Sequence, residues 1–510
     1  MKRTTLALLI VLCLFSLTLK NYEVSVKASP TTWIVDPVPG QGNFTSIQEA
    51  INAADPGDTI VVHNGTYHEN ILINKSITLI GEHKDFTVID GNRTDNVISV
   101  TADRVRISGF TIEKSKYPGS GIFIGIASNC LVHDNKIIDN YDGISIHSAS
   151  NNTIIGNIIS NNFNGIFASS MTNSTISSNA ITFNAFGVCL YYSTANVISR
   201  NDISHNDVTG ITFEYSKTND VCYNTVYSNY RGITLTSCEK NVIYCNNFNN
   251  SIFQVSSDSS DIWSYEGEGN YWSDYAGSDL NGDGIGDSPY IIGTRNMDSF
   301  PLMGTVFSFP IDVWEKTYYV NVISDLFISN LNFEVGNETG NKIMHFTVFS
   351  KNGSGFCRLS IPVELMNYPY IVLLNGTSLI LADFNASELY TRVVLTHLEN
   401  AQVSIISSET LRLYYELLAR YNALNQSYDD LLSNYLALSE GYAVLRESLD
   451  NLNASYQQLL SIYSMQGQII QNLAYVAVFS AAIFIMVTIY LSKHAHVRAI
   501  SKVKVVGDEG

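Results

Sequence analysis

The chain has 510 residues, 15% of them charged and 45% apolar, with 29 basic and 47 acidic side chains and a net charge of −18. At roughly 100–200 residues per domain this length predicts about three folded units, and the apolar share excludes a globally disordered chain. An acidic surface repels phosphate backbones, which excludes a nucleic-acid partner, and a mean hydropathy of +0.06 points to membrane segments.

Residues 1–28 read as a secretory signal peptide. Met1-Lys2-Arg3 precede an apolar run from Leu6 to Leu19, and Val26-Lys27-Ala28 puts small residues at −3 and −1 of a cut after Ala28.

Residues 29–265 carry an internal repeat. Asn135, Asn157, Asn179, Asn201, Asn224 and Asn246 are spaced by 22, 22, 22, 23 and 22 residues. A second series, Asn140, Asn162, Asn184, Asn206 and Asn229, runs five behind the first five of them, followed by Gly143, Gly165, Gly187, Gly210 and Gly232. The one extra residue falls between Asn206 and Gly210, so a loop absorbs it. Ile137, Ile159, Ile181, Ile203, Val226 and Phe248 stand two after the first Asn, and Ile144, Ile166, Val188, Ile211 and Ile233 follow the Gly. Apolar alternation over runs too short for a helix is strand periodicity. Coils of three short strands, stacked ~4.8 Å apart, bury one aliphatic column. The pattern predicts a right-handed parallel β-helix with Asn ladders and with glycine at tight corners. Upstream, Phe44 to Ile51 reads as a short amphipathic helix that plugs the open first coil. The Cys residues have no CxxC spacing and read as buried small side chains.

The polar residues of the repeat include Asp134, Asp139 and Asp142 with His133 and His147, and Asp202 and Asp207 with His205. Polysaccharide-cleaving β-helices use carboxylate pairs on one outer face, but the default reading of these residues is a polar outer surface. No catalytic residue is assigned. Tyr191, Tyr192, Tyr215 and Tyr230 are candidates for a sugar-binding surface.

Residues 266–303 form a closing segment around Gly269-Asn270-Tyr271-Trp272-Ser273-Asp274-Tyr275. Within it Asp279, Asn281, Asp283 and Asp287 occupy positions 1, 3, 5 and 9 of an EF-hand-like loop. Gly284 sits at position 6 and the carbonyl of Ile285 at position 7. Such oxygen donors suit a structural calcium ion. Tyr290 replaces the usual Glu at position 12, so a further carboxylate, Asp298 or Asp274, is expected to complete the set.

The opening segment, the Asn/Gly repeat and the closing segment together resemble the pectin-lyase-like β-helix superfamily, in particular its NosD-like branch common in archaeal surface proteins. The resemblance covers residues 33–303. It implies the fold strongly and the function weakly, because lyases, hydrolases, binding proteins and scaffolds share it. NosD proteins are linked to copper delivery. The ten His and eight Met of this chain form no cluster suited to copper(I).

Residues 304–407 alternate in apolar runs such as Tyr318 to Val322 and Met344 to Val348, predicting a β-sandwich of about seven strands. Gly355 to Pro362 resembles a module found near the C-terminus of archaeal exported proteins. Over 408–472, Tyr414, Tyr421, Tyr428, Tyr435, Tyr442, Leu449, Tyr456 and Tyr463 lie seven apart. Leu417, Leu424, Leu431, Leu438, Leu445, Leu452 and Leu459 lie three beyond the first seven of them. This heptad predicts a coiled coil and hence a homo-oligomer. The uncharged run 473–491 is long enough to cross a membrane, and Lys493, Arg498, Lys502 and Lys504 mark 492–510 as a cytoplasmic tail. Asn43, Asn64, Asn74, Asn337, Asn375 and Asn453 are among the candidate glycosylation sites.

The expectation is therefore a single-pass membrane protein with its large N-terminal part outside. Its role is structural, adhesive or carbohydrate-binding. The alternatives are a polysaccharide lyase or hydrolase and a copper-handling accessory protein.

Overall fold

The computed structural model describes residues 29–294, 296–337, 339–351, 353–378, 382–387, 389–463 and 470–505. The signal-peptide segment 1–28 lies outside them. The chain divides into two compact units, residues 1–409 and 410–510.

The first unit begins with a right-handed solenoid of three parallel sheets. The first sheet has 11 strands, from Thr32–Val35 to Ser260–Ile262. The second has 10, from Gly65–Tyr67 to Tyr271–Trp272, and the third has 9, from Ile71–Ile73 to Phe253–Ser257. Ile181 pairs with Ile159 below and Ile203 above, all fully buried, as the repeat predicts. The extra residue lies between the second and third sheets, where register changes from Ala180↔Asp202 to Phe186↔Thr209.

The corners are built by one device used three times. Each corner holds a residue in the left-handed region followed by a buried ladder residue. Between the first and second sheets these are Asp134, Gly156, Ser178, Arg200, Tyr223 and Cys245, with φ between 52° and 68°. Between the second and third they are Lys114, Asp139, Asn161, Phe183, His205 and Ser228. A left-handed residue with a Cβ costs roughly 1–2 kcal/mol. The next Asn offsets this by donating Nδ2 to the carbonyl two residues back, as Asn179 does to Ser177 at 2.9 Å.

The same Asn accepts from the coil before and donates to the coil after. Asn201 Oδ1 takes the Asn179 N–H and Nδ2, both at 3.0 Å, and Asn201 Nδ2 reaches Asn224 Oδ1 at 2.9 Å. The first ladder climbs through Asn246 and Asn270 to end on the Asp298 carboxylate, which also accepts from Trp272 Nε1. The second climbs from Asn140 through Asn250 to Gln254. A third, between the third and first sheets, is not visible as a plain Asn repeat. It mixes Asn152, Ser174, Asn196, Asn219 and Asn241 and ends on Asp261.

The repeat glycines serve another purpose than corners. A Cβ on Gly143 would sit 2.6 Å from Gly165 O and 2.7 Å from Ile159 Cγ2. Gly143 is needed because adjacent coils approach closely there, whereas the left-handed positions are taken mostly by other residues.

Both solenoid ends are covered. Helix α1 (Ile47–Ala53) buries Ile47, Ala50 and Ile51 against the first coil. Glu69 accepts the Ile47 and Gln48 N–H groups at its N-terminus, and Lys75 Nζ caps Ile51, Asn52 and Ala54 carbonyls at its C-terminus. These charges match the helix dipole. At the other end Trp272 stacks between Phe248 at 4.7 Å and Tyr290 at 4.4 Å.

Two five-stranded antiparallel sheets follow, from Thr305–Val313 to Ala401–Ser407. They have ten strands rather than the expected seven, because the long apolar runs divide into paired nine-residue and shorter strands. Val320, Leu359 and Val393 of one sheet meet Met344, Phe346 and Val403 of the other in one core. This sandwich is fixed to the edge between the first and second solenoid sheets. The Asn247 side chain bonds the backbone of Val306 on both sides, at 2.7 Å each. The Arg200 guanidinium lies over the rings of Tyr223 and Tyr319. Buried Arg358 pairs with Glu268 at 2.6 Å.

The second unit holds α2 (Glu409–Tyr463, 55 residues) and α3 (Ile470–Val505, 36 residues). Within α3, Tyr475–His494 is long and apolar enough to cross a membrane, with mean hydropathy 2.1. The six described cysteines are all free and buried.

Replacing Asn201 by Ala should lower the unfolding free energy of residues 29–409 by roughly 2–4 kcal/mol, since buried N–H groups lose their partner. Urea denaturation measures this, and an unchanged midpoint would contradict the ladder's energetic role.

Candidate functional site

The sandwich occupies the edge between sheets one and two, so the third sheet faces away from it. That sheet has the longest solenoid strands, six residues each in the middle coils, such as Asp142–His147 and Asn164–Ser169. Ile144 and Ile146 point inward, leaving Asp142, Ser145 and His147 for the outer face. In-register stacking repeats this choice from coil to coil and turns it into columns.

Two columns supply a central aromatic row. Phe123, His147, Phe167 and Tyr191 follow one another at ring separations of 5.4, 5.6 and 5.3 Å. Along the edge with the second sheet runs Tyr117, Tyr141, Phe163 and Phe186, at 4.8, 4.9 and 5.7 Å. On the opposite edge Tyr192 and Tyr215 stack face to face at 5.0 Å. Tyr117, Phe163, Tyr192 and Tyr215 are exposed.

Polar groups lie between the rows. Asn164 Nδ2 donates to Asp142 Oδ1 at 2.8 Å, and Ser145 Oγ shares a 3.0 Å hydrogen bond with His147 Nε2. Asp142 is only 7% exposed, and burial pushes its carboxyl up to about 6 against the hydrogen bonds of Asn164 and Ser145. Burial lowers the His147 pKa, which favours the neutral ring. The Thr234 hydroxyl, on the same face, is buried without a partner. The next carboxylate on this face is Glu214, three coils on. Three coils alone are roughly 14 Å at the strand spacing, and Glu214 is also offset along the strand, so the two lie beyond the ~5–9.5 Å of a glycosidase pair. The face can stack rings and exchange hydrogen bonds.

The other candidates are dispersed. His133 pairs with its neighbour Asp134 at 2.8 Å on the first corner. Asp139 on the second corner is held by Arg93 at 2.7 Å. Asp202 lies on the second sheet, and His205 stacks on Phe183. Of the tyrosines, Tyr191 lies in the central row, Tyr192 with Tyr215 in the edge pair, and Tyr230 beside Arg231. Sequence reasoning missed Phe123, Phe163, Phe167 and Phe186. Their signal is the repeat register itself, since Tyr141 and Phe163 lie 22 apart and Phe123 and Phe167 lie 44 apart.

In the calcium-like loop, Asp279 accepts the N–H groups of Gly282, Asp283 and Gly284, Asp283 accepts Ile285 N, and Asp287 accepts Leu280 N. Asn281 Nδ2 donates to Asp283 Oδ2. Among the described residues no three His, Cys, Asp or Glu side chains converge as a metal site. Asp298 cannot complete the set: it is fully buried at the end of the first ladder. Asp274 takes the Tyr290 hydroxyl at 3.2 Å. The glycosylation candidates Asn43, Asn64, Asn74, Asn337, Asn375 and Asn453 are exposed, and Asn43 Oδ1 accepts the Ile34 N–H.

Residues 51–277 match the family model described as periplasmic copper-binding protein (NosD). The solenoid is NosD-like. A cell surface glycoprotein of Methanothermus fervidus is 36% identical over 97 residues, 18% of this chain and 16% of that protein. A probable pectinesterase/pectinesterase inhibitor of Arabidopsis thaliana is 43% identical over 63 residues, 11% of each. The chain thus spans under a fifth of these relatives' lengths. Among solved structures, pectate lyase Pel9A is 16% identical, with TM-score 0.35, covering 50% of this chain and 83% of its own. An alginate lyase from a Paenibacillus species is 14% identical, with TM-score 0.34, covering 48% of this chain and 98% of its own.

Proposed function

We propose that the protein is a membrane-anchored cell-surface protein whose NosD-like solenoid binds carbohydrate on the outer face of its third sheet. The observation that carries the reading is the set of aromatic rows on that face, with hydroxyl and amide groups between them. Aromatic faces pack against the apolar faces of sugar rings, and the polar groups between them meet hydroxyls. The likeness to a cell surface glycoprotein and the apolar segment Tyr475–His494 support a surface location. Basic Lys493, Arg498, Lys502 and Lys504 support a cytoplasmic C-terminus. No lyase or hydrolase step is derived, for want of a carboxylate pair on the face. The family description names copper, but no convergent ligand set among the described residues supports carrying it over.

The carbohydrate reading is tested on the secreted fragment 29–409, which contains both β cores. On a glycan array this fragment should bind at least one polysaccharide, and Phe163→Ala with Tyr192→Ala should weaken that binding about tenfold without lowering the melting temperature. Binding that ignores both substitutions would refute it.

The heptad of α2 supports self-association through a coiled coil. Its Tyr and Leu seam is largely solvent-exposed in one chain, with Leu417 at 68% and Tyr435 at 66%. A single 55-residue helix gains nothing from such a stripe, whereas a partner helix buries it. Sedimentation of residues 408–472 should show oligomers, and Leu431→Asp with Leu438→Asp should give monomers. A wild-type segment that stays monomeric at high concentration would end this proposal.

Calcium at Asp279, Asn281, Asp283, Ile285 and Asp287 is the third part of the reading, as a structural clamp. It is supported by the 1-3-5-9 spacing, by oxygen-only donors and by Gly284 at φ +82°. Calcium should raise the melting temperature of fragment 29–409, and Asp283→Ala should remove that rise. A melting temperature indifferent to calcium would dismiss the site.

A further inference from the structure

This inference rests on the carbohydrate reading and narrows its ligand. We infer that the third-sheet face takes uncharged polysaccharide, laid along the solenoid axis, and rejects polyuronates. The five strands Ser120–Gly125, Asp142–His147, Asn164–Ser169, Phe186–Tyr191 and Thr209–Glu214 contain no Lys or Arg. The corners flanking the middle three of them, 139–141, 161–163 and 183–185 on one side and 148–152, 170–174 and 192–196 on the other, contain none either.

The ionisable groups that the five strands turn outward are Asp142, Glu214 and His147. The nearby cations are engaged or terminal. Arg93 is spent on Asp139, and Lys114 on Asp90 and Glu113. Lys116 adjoins Tyr117 at one end of the rows; at the other end exposed Lys217 lies two residues beyond Tyr215, and Arg231 stands in register with Thr209 and beside Tyr230. The neutral form that burial favours for His147 adds no counter-charge.

A polyuronate brings one carboxylate per sugar. On the middle three coils each would lie among aromatic rings, where water is partly excluded and screening is weak, with Asp142 as the charged group of the face. Recognising carboxylates in a polymer needs Arg or Lys in a fixed fork, which is absent from these strands. An uncharged sugar has no such cost. Its C–H faces meet the rings, and its hydroxyls meet the partly exposed His147 and Tyr191. The rows advance one ring per coil along the solenoid axis, which sets the direction of the bound chain.

The test uses fragment 29–409 in affinity electrophoresis at 150 mM salt (about the physiological level). The uncharged probes are mannan, laminarin and a chitin hexasaccharide, and the acidic ones are polygalacturonate and alginate. At least one uncharged probe should retard the protein and neither acidic probe should. Ser169 stands between His147 and Tyr191 in the outer column. Ser169→Arg should raise polygalacturonate affinity at least tenfold. Ser99→Arg, on the same face beside Phe123, serves if the first variant fails to fold. Wild-type protein that binds polyuronates as well as uncharged polymers overturns the inference and leaves the carbohydrate reading standing. So does a folded arginine variant with unchanged polyuronate binding. If no polymer of either class binds, the carbohydrate reading falls and this inference with it.

Discussion

The solenoid depends on how a chain of L-residues turns three corners every 22 or 23 positions without glycine at each. The answer is a left-handed residue stabilised by the amide that follows it. At Asn157, Asn162, Asn179, Asn184, Asn224 and Asn246 that amide satisfies a carbonyl within its own corner, a carbonyl of the coil before and the next amide in the ladder. Because one side chain does all three, corner geometry and coil stacking are a single interaction. A buried amide left half-bonded would cost more than it gives, so the ladders must end properly. They do: the ladder amides turn their oxygens toward the preceding coil, and from Asn157 and Asn162 onward Nδ2 also reaches the next coil. The last Nδ2 therefore needs an acceptor, supplied by Asp298, Asp261 and Gln254.

This regularity frees the outer face. Since the core and corners fix the backbone, outward side chains vary without structural penalty, and in-register stacking turns any repeated choice into a column. On the third sheet the choice is aromatic. The sandwich lies on the far edge, held by Asn247, Arg200 and Arg358, and leaves those columns uncovered. Structure and proposed binding thus use one repeat from its two sides.

Much of this was legible in the sequence because a 22-residue period is strong evidence for stacked coils. The two pure Asn series, the aliphatic columns and the α1 plug could be read directly. The third ladder could not, because Ser174 and Asp261 do the work of Asn there and hide the series. The glycines were read as corner residues; their close approach to the next coil is a three-dimensional fact that no local signal carries. The aromatic rows escaped because their members alternate between columns and types, as Phe123, His147, Phe167 and Tyr191 do. Asp298 read as a spare calcium ligand, since nothing in 266–303 announces that a ladder 28 residues away ends on it.

The ladders also bear on how sugar could be attached to this chain. A transferase that modifies Asn in the Asn-x-Ser/Thr context acts on sequence, and it would meet many asparagines before folding hides them. None of the Asn residues in the three ladders is followed two positions later by Ser or Thr. For the first ladder the reason is geometric: that position is the inward one, filled by Ile137, Ile159, Ile181, Ile203, Val226 and Phe248. In the third ladder the same place holds Ile154, Ile198, Val221 and Ile243. The need for an aliphatic core therefore erases the acceptor signal from these structural amides. It remains at positions such as Asn64, Asn74, Asn151 and Asn173, where an attached glycan would project into solvent. The period that folds the chain thereby screens its own interior from modification.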